Sequence, residues 1–137
     1  MPEINQNYIT MTGFVPYQLM PSYLAAIDIF VAPYPKIKPF YFSPLKIFEA
    51  MAMAKPIVAS AQGQIKELLV DGKNGMLFPA GDKDTFCQRI EKLMLDPELC
   101  LELGRNARKH IISNYTWDHN AKKIFNILSK VTRQKIE

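Results

Sequence analysis

Three residues able to do chemistry fall close together: Ser43, Lys46 and Glu49, in the run Phe42-Ser43-Pro44-Leu45-Lys46-Ile47-Phe48-Glu49. Ser43 has the side chain of an N-cap, and Pro44 suits a first helical position, where no N–H is needed. The helix they open must stop near Lys55, because Pro56 cannot continue it. Lys46 and Glu49 are the charges within it, three residues apart and therefore on one face. The free N–H groups of a helix start carry the positive end of the dipole, and a lysine beside them makes an anion site. The plainer alternative is a surface Lys46–Glu49 pair worth a few tenths of a kcal/mol, roughly.

The elements that must position this run alternate between strands and helices. Tyr8–Thr12 reads as a strand ended by Gly13, and residues 18–26 as a helix with Leu19, Met20, Tyr23 and Leu24 on its apolar side. Ile27–Ala32 is a second, buried strand stopped by Pro33. Pro33, Pro35 and Pro39 then restrict the chain to an irregular loop as far as Ser43. After the 44–55 helix, Ile57-Val58-Ala59 has the apolar, β-branched character of a strand covered on both faces. A turn at Ser60–Gln64, a short helix over 65–70 and the turn Asp71-Gly72-Lys73-Asn74-Gly75 lead to a fourth strand, Met76–Phe78.

Three helices close the chain. Over 82–95 the stripe is Phe86, Ile90, Leu93 and Met94. Asp96 caps the next helix, with Pro97 at its first position and Leu99, Leu103, Ala107 and Ile111 facing inward. Thr116 caps the last, with Trp117, Ala121, Ile124, Phe125 and Leu128 expected to face inward. Such alternation predicts an α/β fold: a parallel sheet of about four strands with right-handed crossovers, its ligands beyond the carboxyl ends of the strands. The proline-rich loop, Ser43 and the Ser60–Gln64 turn all fall at that edge.

Composition narrows the class of protein. The 137 residues form one domain, and 48% hydrophobic content supports a globular core. Cys87 and Cys100 sit in helical patterns, as isolated thiols of a reducing compartment do. No apolar stretch approaches the ~20 residues of a membrane span, and the start lacks the basic and apolar runs of a signal peptide. These features predict a cytoplasmic protein. The net charge of +4 is uneven: no Lys, Arg or His precedes Lys36, while Lys122, Lys123, Lys130, Arg133 and Lys135 crowd the end. That basic helix leaves peripheral membrane contact open. The aromatic–basic interleaving of nucleic-acid binders is absent. His110 and His119 are read as structural or exposed, with no companions for a Ser-His or metal site.

In order along the chain, Gly13-Phe14-Val15-Pro16, Tyr23–Pro33, Ser43-Pro44-Leu45-Lys46-Ile47-Phe48-Glu49-Ala50-Met51-Ala52 and Lys55–Ser60 resemble the C-terminal half of retaining, family 4 glycosyltransferases. Glu67, Asp71–Gly75, Pro79-Ala80-Gly81-Asp82 and Tyr115-Thr116-Trp117 extend the resemblance almost to the end. It implies the C-terminal half of a GT-B fold, an incomplete Rossmann-like sheet flanked by helices, and places residues 1–137 in the donor-binding domain. The implied activity is transfer of a hexose, with retention, from a nucleotide diphosphate-sugar to a glycan or lipid acceptor, as in polysaccharide biosynthesis. The acceptor would be met through an N-terminal domain not included here, toward which the last helix (about 117–133) packs.

The resemblance also assigns residues. Glu49 takes the place of the second glutamate of the E-x7-E motif, on the donor ribose. The first glutamate, which meets the transferred sugar, falls on Tyr41, a departure from the pattern. Tyr41 and Phe42 either pack the loop or line the sugar pocket. Ser43, Leu45 and Lys46 would offer backbone N–H groups to the diphosphate; Val15 lies by the nucleobase and Gly63 approaches the donor. The catalytic residues are not identified. No metal or cofactor is implied beyond the nucleotide-sugar substrate, since helix dipole and cations do a metal's work. The arginine and lysine that grip the diphosphate lie in the missing opening part of the domain, which implies an inactive isolated chain. Ala54 replaces the usual glycine at the helix end, implying either a strained alanine or a different turn. Two other readings stand beside the enzyme: a non-enzymatic module that associates with a partner half or itself, and, more weakly, a related sugar-nucleotide epimerase.

Overall fold

The structure, a computed structural model, describes residues 8–41 and 43–134. Its centre is a parallel sheet of three strands in the order β1 (Phe30–Ala32), β2 (Ile57–Ser60), β3 (Met76–Phe78). Phe30, Val31 and Ala32 lie opposite Ile57, Val58 and Ala59; Val58, Ala59 and Ser60 lie opposite Met76, Leu77 and Phe78. All four residues of β2 are buried, which is why that segment reads as an unbroken apolar run rather than an alternating one. Tyr8–Thr12 is not a fourth strand. Tyr8 and Met11 are largely exposed, and β1 has no neighbour on that side among the described residues, so the segment has neither ladder nor core to hold it extended.

Side chains of β2 alternate between two cores. Ile57 and Ala59 join Ile47, Ala50 and Met51 of helix α2 (Leu45–Ala52) and Ala107 and Ile111 of α5 (Pro97–Asn114). Val58 joins Met76 and Phe78 of β3, with Leu103 of α5 and Leu93 of α4 (Lys83–Leu95). Met94, placed in the inward stripe by sequence, is exposed; Phe86, Ile90 and Leu93 carry that face. A short 3-10 turn, Tyr17–Leu19, precedes α1 (Met20–Ala25), and one turn of helix, α3 (Ile65–Leu68), follows β2.

The caps follow the sequence closely in the last helices and fail in α2. Asp96 accepts from Leu99 N–H at 2.9 Å with Pro97 at the first helical positions, and Thr116 Oγ1 accepts from His119 N–H at 3.3 Å at the start of α6 (Trp117–Gln134). Ser43 caps nothing. Pro44, at φ −83° and ψ 68°, is the non-helical residue before α2, so the helix begins one residue later than the serine could serve. Instead Leu45 N–H donates to Ser43 O at 2.9 Å and Ile47 N–H to Pro44 O at 2.8 Å.

Helix α6 corrects another expectation. Trp117, Ala121, Ile124, Phe125 and Leu128 do not face a core; all are exposed. The helix turns away after Tyr115, whose ring meets Phe48 edge-on at 5.6 Å, and its apolar stripe meets no cover among the described residues.

The turn out of α2 is the tightest point of the fold. Ala54 is left-handed, at φ 55°. Its N–H donates to Met51 O and Lys55 N–H donates to Ala50 O, both at 3.0 Å, the paired bonds of a Schellman ending that glycine normally occupies. Of the two alternatives for Ala54, the strained alanine is the one found. Gly104 of α5 lies against this turn: a Cβ there would be 2.1 Å from Ala54 O, and the Arg108 guanidinium donates to Ala52 O. Ala54→Gly should therefore raise stability by about 0.5–1 kcal/mol. Gly104→Ala should lower it by about 1–3 kcal/mol, as overpacked cores do. Urea denaturation of both variants measures this.

Candidate functional site

Loops follow each strand at its carboxyl end: residues 33–44 after β1, Ala61–Gln64 after β2, Pro79–Asp82 after β3. Gln62 binds the first two together. Its Nε2 donates to Pro35 O at 2.9 Å and Tyr34 O at 3.3 Å, and its Oε1 accepts from Ile37 N–H at 3.4 Å. The proline-rich loop cannot form a ladder of its own, and one amide side chain supplies the partners its backbone lacks. Phe40 strengthens the clasp. Its ring stacks edge-on against Tyr34 at 5.5 Å and fills the space above Gly63, where a Cβ would come within 2.4 Å of it. Gly63 also stands at φ +47°, so the turn needs glycine for conformation and for space.

Two grooves result. One is lined by Lys36, Lys38, Phe40, Gln62, Gly63 and Lys66 among others, across the ends of the three strands. The other lies in the seam between α1 and α2, where Glu49 sits among Tyr17, Met20, Leu24 and Met53. Val15 is half-buried, two residues before Tyr17. Ser43, Leu45 and Lys46 are exposed at the start of α2 and line neither groove, and Tyr41 is exposed before them. Phe42 lies outside the described residues. The structure thus puts Glu49 in one groove and Gly63 in the other, and Val15 in the lining of neither.

Lys46 does not pair with Glu49. Its Nζ lies 5.8 Å from the centre of the Tyr34 ring, a cation–π contact that aims it at the proline-rich loop. Glu49 is half-buried and has neither hydrogen bond nor ion pair among the described residues; the one salt bridge among them joins Arg89 to Asp71 at 3.0 Å on the surface. The Leu45 amide is already engaged by Ser43 O, so of the three amides assigned to the site it is the one with an internal partner.

Asp82-Lys83-Asp84 has the spacing of an aspartate pair that could hold a metal, a feature the sequence reading passed over. Asp82 is committed to helix α4: it accepts from Thr85 N–H at 3.0 Å and from the Thr85 hydroxyl at 2.6 Å. The Thr85 hydroxyl, followed by the backbone N–H groups of Thr85 and Asp84, holds its carboxyl below the usual aspartate value. No three His, Cys, Asp or Glu among the described residues are placed to share a metal. Of the histidines, His119 Nδ1 lies 2.6 Å from Thr116 Oγ1, and the His110 ring packs on Tyr115 at 5.4 Å. Cys100 donates to Leu93 O at 3.1 Å. Burial, then the nearby Asp96 and Asp28 carboxylates, push its thiol up, away from reactivity.

A family described as "Glycosyl transferases group 1" matches residues 2–96. The chain belongs to that family. Among curated group 1 relatives, the α-maltose-1-phosphate synthase of Mycolicibacterium smegmatis is 32% identical over 117 residues, 80% of this chain and 29% of the synthase. Among solved structures, a sucrose-phosphate synthase from Thermosynechococcus elongatus superposes with a TM-score of 0.81 at 23% identity, over 93% of this chain and 31% of its own. HepE from Anabaena, crystallised with UDP, reaches 0.71 at 26% identity over 81% of this chain and 30% of its own. The matched stretch covers between 16% and 33% of the curated glycosyl transferases it resembles. The fold is therefore that of a glycosyl transferase, as the sequence motifs implied. No helix among the described residues is long and apolar enough to cross a membrane.

Gln62 was missed because a glutamine after a strand carries no motif. Its signal was a polar residue beside a loop with three prolines, whose backbone groups need a partner. Gly63→Ala should displace Phe40 and loosen the loop. The check is loss of the aromatic ring-current shifts of Tyr34 and Phe40 in NMR spectra, with the signals of β1–β3 unchanged.

Proposed function

We propose that this chain supplies the nucleotide-sugar-binding part of a retaining glycosyltransferase, which moves a hexose from a nucleotide diphosphate-sugar to a glycan or lipid acceptor. The observation that carries the reading is Glu49. Its carboxylate lies in the groove beside Tyr17, Met20 and Met53 with no donor among the described residues, which leaves its oxygens to accept from a ligand. A ribose diol offers two hydroxyls in a geometry a carboxylate accepts, and Val15 lies near enough in the chain to flank a base stacked beside it. The start of α2, with the Ser43 and Lys46 amides and the positive end of the dipole, then faces the diphosphate. As the sugar–phosphate bond breaks, charge grows on the departing diphosphate, and preorganised N–H groups and cations stabilise it without a metal. Tyr41, exposed and two residues before Ser43, takes the place of the glutamate that meets the transferred sugar in this reading. HepE, crystallised with UDP and with UDP-glucose, supports a uridine donor as the first to try.

Titration of the 137-residue chain with UDP, followed by NMR, tests this reading. Shifts are expected at Val15, Ser43, Lys46 and Glu49, and Glu49→Ala should weaken binding about tenfold, the effect of losing a hydrogen bond to a charged group. Saturating UDP or GDP without any shift in these residues would sink the reading.

The exposed stripe of α6 favours a second reading, self-association through Trp117, Ile124, Phe125 and Leu128. Sedimentation should then show dimers that Phe125→Lys returns to monomers; a clean monomer at high concentration counts against it.

A further inference from the structure

The groove across the strand ends has a charge pattern that the motifs do not account for. Lys36 and Lys38 come from the proline-rich loop and Lys66 from α3, so three cations from two separate elements line one depression. No carboxylate lines it, and none of the three lysines forms an ion pair among the described residues. Phe40, Pro79 and Ala80 form apolar walls beside them. Like charges gathered without a counterion repel, more strongly beside low-dielectric walls than in open water. The loop lysines are not on a free strap. Ile37, between them, is held by Gln62 Oε1, and Phe40, two residues after Lys38, is seated on Gly63. The structure therefore fixes the backbone that carries two of the cations and leaves their charge uncompensated.

We propose that this groove binds a phosphate or diphosphate group of a substrate. Lys36, Lys38 and Lys66 supply the charge, and the Gln62–Gly63 turn forms the floor. The inference rests on the reading of the chain as a donor-binding domain and adds to it a second set of cations, apart from the helix start at Ser43–Lys46. The same chemistry fits two sources, the diphosphate of the donor or a phosphate carried by the acceptor, and both share the recognition by three ammonium groups.

The test uses sodium pyrophosphate, UDP and glucose 6-phosphate as separate probes of the 137-residue chain, with amide NMR as the readout. Pyrophosphate should shift Lys36, Lys38, Gly63 and Lys66. The Lys36→Gln/Lys38→Gln/Lys66→Gln variant should weaken it at least about tenfold, since three charge-assisted contacts are lost. Raising salt from about 50 to about 200 mM should weaken it too, as screening requires. Because the three side chains are exposed, the variant should keep the wild-type spectrum elsewhere. If UDP shifts Glu49 and the lysine groove together, the donor is the source. If glucose 6-phosphate shifts the groove while UDP shifts only the α2 side, the acceptor is the source. If pyrophosphate binds through the lysines and UDP does not bind at all, the groove stands and the donor-site reading fails. If UDP binds through Glu49 while pyrophosphate leaves the groove unshifted, or binds the triple variant as well as the wild type, the groove is overturned and the donor site stands.

Discussion

Everything at the carboxyl edge of the sheet depends on how α2 is anchored at its far end. The helix is pinned where Ala54 turns left-handed and its carbonyl rests against the bare Cα of Gly104. That contact lets α5 lie close enough for Ala107 and Ile111 to share one core with Ala50 and Met51. Arg108 and Lys55 close the same corner, the first on the Ala52 carbonyl and the second on Ala25 O at 2.7 Å, each a cation at a helix C-terminus. With its C-terminus held by α5 on one side and α1 on the other, α2 has little freedom to tilt. Its N-terminus and the half-buried Glu49 are thereby held at set positions, Glu49 in the seam with α1.

The strain at Ala54 has a structural counterpart. A left-handed alanine costs about 1 kcal/mol, yet the turn satisfies two backbone carbonyls that would otherwise be orphaned in a buried corner. The surrounding packing over-determines it. Glycine would relieve the strain, and the bonds it would make are the ones alanine already makes.

Much of this architecture could be read from the residues in order. β-branched runs gave β2, proline and glycine marked the loops, and Asp96 and Thr116 announced two helix starts. Each of those signals is local, and a local signal survives translation into structure. What could not be read depended on absent or distant partners. Among the described residues Tyr8–Thr12 has a strand's composition but no neighbour to pair with, and the apolar stripe from Trp117 to Leu128 has no surface to face. Ser43 lost its capping role to the φ/ψ of Pro44, a difference of one residue that propensity does not settle. Around the proposed site, the spacing of Lys46 and Glu49 along one helix was legible, since both do lie on α2. The Lys46–Tyr34 contact and the Gln62 clasp did not, because each joins segments far apart in sequence across a fold that had first to form.

The Gln62 clasp also divides the proline-rich loop into unequal parts. Residues 34–37 are tied to the sheet through one side chain, and beyond Lys38 the Phe40 ring ties the loop again, to Gly63 and to Tyr34. The outer part is therefore no free appendage, because Phe40 also packs against the core that α2 and β2 share. Exchanging the exposed residues on either side of Phe40 leaves that packing intact, whereas removing Phe40 itself uncovers the edge of the core.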